Sequence, residues 1–374
     1  MNQFYSKYII IYGLLLILLT KCSSYSINKG QQYKDGNMKS FKTLVNTLDI
    51  TDKLINREDF FIQIQKIQHS AAIMYQNNKD TFQAVANWIQ AGANTHNFAK
   101  FCLNIYQING IDNFGNVNLT SYYTPIIQGR YIRQGRFQYP LYRMPIKNKD
   151  YDLPNRASIY SGALENLNLE IAYTNSLIDN FIMEVQGSGY VDYGDGKPLT
   201  LFSYSGNNNY TYRSIGKILT NRGDITHDRI SIQAIRDWAN KHTINEVRNL
   251  LEQNPSFVFF KPEAYTLVKG ASGVPLVAKT AIACDSSLIP IGSTLLAELP
   301  LLNYYGKFTG KYEMRLMIAI DVGGAIKGAH CDIYQGIGTQ AGRIAGFYNH
   351  YGRLWLLQAS QNICNITNNL ISSK

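Results

Sequence analysis

The stretch 320–338, IDVGGAIKGAHCDIYQGIG, sets two aspartates, Asp321 and Asp332, on either side of a glycine-rich turn. Val-Gly-Gly and Lys-Gly supply backbone that can take positive φ and pass close to a ligand, while Ile320, Ile326 and Ile333 anchor the flanking strands. The run reads as an acid site on a β-barrel, with an acidic side chain held beside a surface that can bind something.

Outward from this run, the C-terminal part keeps the same texture. Short apolar segments at 257–260, 276–283, 294–299 and 315–321 alternate with Gly, Pro and Asn turns, as a barrel requires. Further upstream, 122–131 and 181–193 are rich in β-branched and aromatic residues, so both are expected as strands. Helical spacing marks 60–75 (Ile64, Ile67, Ala71, Met74), 80–91 (Phe82, Val85, Trp88, Ile89) and 230–253, where Asn254-Pro255 ends the pattern. No fixed-period repeat is present, which argues against a solenoid or propeller. The expected architecture is mainly β with flanking helices, in two parts.

The N-terminus sets the compartment. Lys7 precedes an apolar stretch from Tyr8 to Leu19, shorter than the roughly 20 residues of a spanning helix, and Thr20-Lys21-Cys22-Ser23-Ser24 follows. This is the shape of a secretory signal. Leu-Thr-Lys-Cys resembles a bacterial lipoprotein box, although Lys21 stands where that pattern takes a small residue, and Cys22 is the expected lipidation site. Residues 1–22 are thus expected to be signal and lipobox, and 23–38, polar and aperiodic, a tether.

The formal net charge of +10 fits an anionic partner, but no block of five or more Lys and Arg appears, so nucleic-acid binding is not expected. Neither Gly187-Ser188-Gly189 nor Gly336-Ile337-Gly338 completes a phosphate-loop pattern. Cys22, Cys102, Cys284, Cys331 and Cys364 lack CxxC spacing, and His330 beside Cys331 and Asp332 has no spaced partner, so no metal and no cofactor is expected. With Cys22 lipidated, four cysteines allow three pairings, but buried small apolar residues are the preferred reading.

Five segments in order resemble the membrane-bound lytic murein transglycosylase A family, bacterial enzymes that cleave peptidoglycan. They are Tyr122-Tyr123-Thr124-Pro125, 181–189 (FIMEVQGSG), 212–217 (YRSIGK), 254–260 and 321–338. The C-terminal part also resembles a domain named for three aspartates, here Asp285, Asp321 and Asp332. The resemblance implies a double-psi β-barrel from 39–127 plus 263–374, with a smaller β-domain, 128–262, inserted and a glycan groove between them. It also implies a periplasmic enzyme held at the outer membrane by a lipid anchor, with peptidoglycan glycan strands as its partner.

Ordinary glycoside hydrolysis uses two carboxylates, whereas a lytic transglycosylase needs one. By resemblance, Asp332 protonates the bond between N-acetylmuramic acid and N-acetylglucosamine, then takes the proton of the muramyl C6 hydroxyl as it attacks C1. The product is a 1,6-anhydro-muramyl end. Asp321 and Asp285 are expected to support, Asp321 by hydrogen-bonding the 323–327 turn. Tyr123, Thr124, Gln186, Ser188, Gly189, Gly323, Gly324 and Lys327 are expected along the groove. Two alternatives stand: a hydrolytic muramidase using Asp321 or Asp285 as a second carboxylate, and a non-catalytic peptidoglycan-binding lipoprotein.

Overall fold

A computed structural model describes residues 30–360 apart from 31, 32, 35, 39, 51, 52, 147–151, 227, 228 and 265. The expected signal segment, the expected lipidation site Cys22 and also Cys364 lie outside the described residues.

Strand β12 (Phe308–Asp321) explains the apolar density around the opening stretch. Its side chains alternate between two apolar clusters: Met314, Leu316, Ile318 and Ile320 face one way, Met317 and Ala319 the other. A strand buried on both faces reads as a continuous hydrophobic run. One cluster is roofed by helices α1 (Arg57–Ser70) and α2 (Ala72–Gln90) through Phe60, Ile67, Val85 and Trp88. The second fills the barrel itself.

That barrel is a closed ring. β3 (Val117–Thr124) pairs in parallel with β13 (His330–Ile337) and antiparallel with β14 (Asn349–Ala359). From β14 the ring continues through β11 (Thr294–Leu302), β12 and β10 (Ala281–Ala283) back to β13. β1 (Lys42–Val45) and β2 (Leu103–Ile108) extend it from β14 as a ribbon.

The second sheet has the order β5-β6-β4-β7-β8-β9: β4 (Ile126–Arg130), β5 (Tyr139–Tyr142), β6 (Glu170–Thr174), β7 (Gly189–Asp192), β8 (Thr200–Asn207) and β9 (Val258–Glu263). Around it lie α3 (Arg156–Tyr160), α4 (Leu177–Gln186), α5 (Ile215–Arg222), α6 (Ile232–Ala239) and α7 (Ile244–Leu251), while α8 (Gly338–Phe347) packs on β3 and β13 of the barrel.

Several expectations are corrected. The run 181–193 is not all strand: Ser176 accepts from the Asp179 amide to start α4, Gly187 at φ 81 ends it, and only 189–192 extends. The helical region expected over 230–253 consists of two helices, α6 and α7, the second opened by a capping box of Thr243 and Glu246. Gly30 and Tyr33, expected in a tether, are docked on the barrel. The Gly30 amide donates to His350 Nδ1 at 2.7 Å, and the Arg353 guanidinium lies over the Tyr33 ring at 4.4 Å. Cys284 and Cys331 are buried free thiols, as preferred, but Cys102 is disulfide-bonded.

Candidate active site

Strand register gathers the acids. Ala283 of β10 pairs with both Asp321 at the end of β12 and Asp332 on β13, so a short strand carries one acid on each flank. On the other side of β13, Asp332 pairs with Thr120 and Tyr334 with Tyr122 of β3. Parallel register and the two-residue period put Thr120 and Tyr122 on the face of Asp332.

The three aspartates then diverge. Asp321 Oδ2 accepts from the Tyr122 hydroxyl at 2.6 Å, and Oδ1 accepts from the Ala271 and Val322 amides at 2.8 and 2.9 Å. A Cβ on Gly270 would stand 2.7 Å from the Ile320 carbonyl and 3.1 Å from Asp321 Cγ, so glycine there lets the Ala271 amide reach the acid. Burial raises the Asp321 pKa against these three donors, and raises that of Tyr122 well above its usual value, keeping it a donor. Asp285 Oδ2 accepts from the Gly328 amide at 3.0 Å and Oδ1 from the Ser287 hydroxyl at 2.7 Å. The Gly328 bond leads the causes that lower its pKa. Asp285, not Asp321, therefore holds the glycine turn. Within that turn only Gly328, at φ 64, is left-handed, while Gly323 and Gly324 are not among the positive-φ glycines.

Asp332 is different. Its Oδ1 lies 2.7 Å from Thr120 Oγ1, and no cationic side chain bonds it among the described residues. Burial pushes its pKa up to about 7, with the Thr120 bond opposing and the nearby Asp321 adding. Thr120 Oγ1 is also 2.8 Å from His330 Nε2. Burial depresses the His330 pKa, so the ring is neutral near pH 7.

The expected groove residues scatter by strand parity. Tyr123 is 5% exposed and packs on Gly342 of α8, so its ring is core rather than a sugar platform. Thr124 is buried against the Tyr334 hydroxyl at 3.0 Å. Gln186 Oε1 accepts from the Tyr123 amide at 2.8 Å, clasping α4 to β3. Ser188 is half-buried, and Gly189 is buried where a Cβ would meet Met183 at 2.7 Å. Gly324 and Lys327 are exposed on the turn beside the acids, with Gly323 half-buried. The sequence singles out neither Thr120 nor Tyr122, although Tyr122 lies in the Tyr122-Tyr123-Thr124-Pro125 segment. The polar alternation Thr120, Tyr122, Thr124 was the available signal.

Residues 118–261 match the family model of the MltA specific insert domain, and 280–358 that of the 3D domain. The chain is 54% identical over 360 residues to membrane-bound lytic murein transglycosylase A of Escherichia coli (strain K12), covering 96% of this chain and 98% of that one. A homolog of that protein from Buchnera aphidicola is 46% identical over 350 residues, 93% of this chain and 95% of its own. The crystal structure of E. coli MltA with bound chitohexaose superimposes with a TM-score of 0.85 at 54% identity, covering 90% of this chain and 100% of that one. With identity spread over nearly the whole of each chain, this chain belongs to the membrane-bound lytic murein transglycosylase A family.

Proposed function

We propose that this lytic murein transglycosylase cleaves the β-1,4 bond between N-acetylmuramic acid and N-acetylglucosamine with Asp332 as its single acid and base. One observation carries the reading: Asp332 alone among the three aspartates lacks backbone donors and keeps its proton up to about 7. An acid near neutral pH needs that property.

Protonated Asp332 gives its proton to the glycosidic oxygen as the C1–O bond breaks. The Thr120 hydroxyl then donates to the new carboxylate, whereas in the acid state it is free to donate to His330 Nε2. The muramyl C6 hydroxyl attacks C1 and returns its proton to Asp332. The nucleophile belongs to the same sugar, so its effective concentration is high and no second carboxylate is needed. Asp321 and Asp285, saturated by their donors, brace the site.

The closed six-stranded ring with its two parallel pairs supports a double-psi barrel. In this reading the barrel comprises 39–127 and 263–374, with 128–262 inserted and the glycan groove between. Gly323, Gly324 and Lys327 would line it from the turn, Gln186 and Ser188 from the α4–β7 junction, with Tyr123 and Thr124 supporting from behind. The relatives' membrane-bound names fit a lipid anchor on Cys22, a periplasmic setting and attachment to the outer membrane. Mass spectrometry of digested sacculi tests the chemistry. Muropeptides lighter by one water, with anhydro ends, are expected; reducible muramyl ends would establish a hydrolase instead.

A further inference from the structure

We propose that the hairpin joining β11 to β12 is a membrane-contact surface that seats the barrel on an anionic phospholipid bilayer. The proposal rests on the lipid-anchor reading above. At the hairpin tip Tyr304 and Tyr305 are 70% and 73% exposed, with their rings edge to face at 5.3 Å. Both are held outward by a built turn: Asn303 Oδ1 accepts from the Tyr305 and Lys307 amides at 2.9 and 3.0 Å. Amphipathic rings of this kind collect at the headgroup level of a bilayer.

The charge around them is complementary to anionic headgroups. Lys307 and Lys311 are exposed, and the Arg343 guanidinium sits 3.9 Å from the Tyr304 ring. The nearby acids are already engaged, Glu313 by Arg315 at 2.6 Å and Glu298 by Arg353 at 2.8 Å. Behind the hairpin lies a cavity of about 140 Å³ with Leu299, Leu302 and Phe347 in its wall and Arg343 and Lys279 in its lining. Glu313, paired with Arg315, and Gln335 also line it, so the cations exceed the acids, and apolar walls with that balance match an amphiphile better than a glycan, which offers hydroxyls on most sides.

Chain path gives the third support. A Cβ on Gly30 would stand 3.1 Å from Pro300, the residue before Leu301, so the N-terminal segment passes against the base of this hairpin. From Gly30 back to Cys22 is 30 − 22 = 8 residues, a span of at most about 28 Å when extended. An anchored Cys22 therefore keeps this hairpin close to the bilayer.

The test uses the mature chain from residue 22 carrying Cys22→Ser, so that no lipid is attached. It is expected to sediment with vesicles of phosphatidylglycerol and phosphatidylethanolamine, more weakly at high salt, and far less with phosphatidylcholine alone. Tyr304→Ser/Tyr305→Ser and Lys307→Glu/Lys311→Glu should each lower the partition coefficient about tenfold, with turnover of soluble glycan unchanged as the control for folding. Tyr305→Trp should shift its emission to the blue on the anionic vesicles. Equal partition of parent and variants, equal binding to neutral vesicles, or an unshifted emission overturns the proposal. Palmitate labelling of wild type against Cys22→Ala is read separately: no label with hairpin-dependent vesicle binding removes the anchor and leaves the surface.

Discussion

Burial pushes the carboxyls of both Glu184 and Asp332 toward their neutral forms, and the protein answers the two in opposite ways. Glu184 on α4 accepts from both ends of the Arg156 guanidinium, at 3.1 and 2.7 Å, and from the Val258 amide at 3.2 Å. The guanidinium also donates to the Asn254 carbonyl and the Tyr160 hydroxyl, and lies against the rings of Phe181 and Phe257. Burial raises the Glu184 carboxyl and Arg156 pulls it back, and the forked geometry keeps an ion pair. Asp332 is offered a neutral hydroxyl and a neighbouring acid. Its charge is neutralised by a proton. Burial alone therefore does not mark a catalytic acid: a carboxyl answered by a cation stays where it is, whereas one answered by a proton has something to give away.

The contrast breaks most decisively at Asp332. Asp332→Asn should lower the release of anhydro-muropeptides by at least about 10³-fold with glycan affinity retained. Substantial residual cleavage would show that another group is the acid. Glu184→Gln, by contrast, strands a buried guanidinium and should cost roughly 3–5 kcal/mol in denaturant unfolding. The folded fraction should keep the parental pH optimum. Replacing both partners, Arg156→Met with Glu184→Met, should recover most of that loss, since the pair's worth lies mainly in each answering the other.

A third effect is smaller and of opposite sign. Folding raises the Asp332 pKa from 3.8 to about 7. Its stabilising contribution is therefore complete below 3.8 and lost as pH climbs through about 7. Asn carries no charge at any pH, so Asp332→Asn should unfold at a higher temperature than the parent at pH 8, and not at pH 4. The ceiling is about 4 kcal/mol, and solvent contact at the half-buried carboxyl reduces it to roughly 1–2 kcal/mol. Equal melting at pH 8 would mean that no free energy is stored at the acid.

The acid stretch and the barrel texture were legible because β12 and β13 are locally apolar and glycine-bounded. Ring closure was not, since β3 meets β13 across some 210 residues of chain and parallel pairing leaves no hairpin signal. The same distance hid Thr120, whose chemistry comes from register. Tyr123 and Tyr122 cannot be told apart for the groove from sequence, because adjacent residues on a strand face opposite ways and composition does not say which face holds the site. The Arg156–Glu184 pair leaves no local sequence signal, because its members stand 28 residues apart on separate helices. Over 181–193, aromatic and β-branched content masked α4, which its Ser176 cap and the Leu177, Phe181, Glu184 spacing would have disclosed.

The finest test sets two neighbours of Asp332 against each other. In the proposed mechanism Asp332 acts as an acid only while it holds its proton, so turnover should fall as pH rises through about 7. Thr120 stabilises the carboxylate, so Thr120→Val removes a force that lowers the pKa, and the alkaline limb should move to higher pH. Asp321 adds negative charge nearby, so Asp321→Asn should move the same limb to lower pH while Asn Oδ1 keeps accepting from the Ala271 and Val322 amides. Both shifts are small because burial is the first cause of the raised pKa and neither substitution alters it. Opposite displacements in pH profiles of kcat, against an unmoved limb in Arg156→Met/Glu184→Met, would locate the titrating proton on Asp332. Displacement of both in one direction would assign the limb to another group, and with it the difference between the two buried carboxyls.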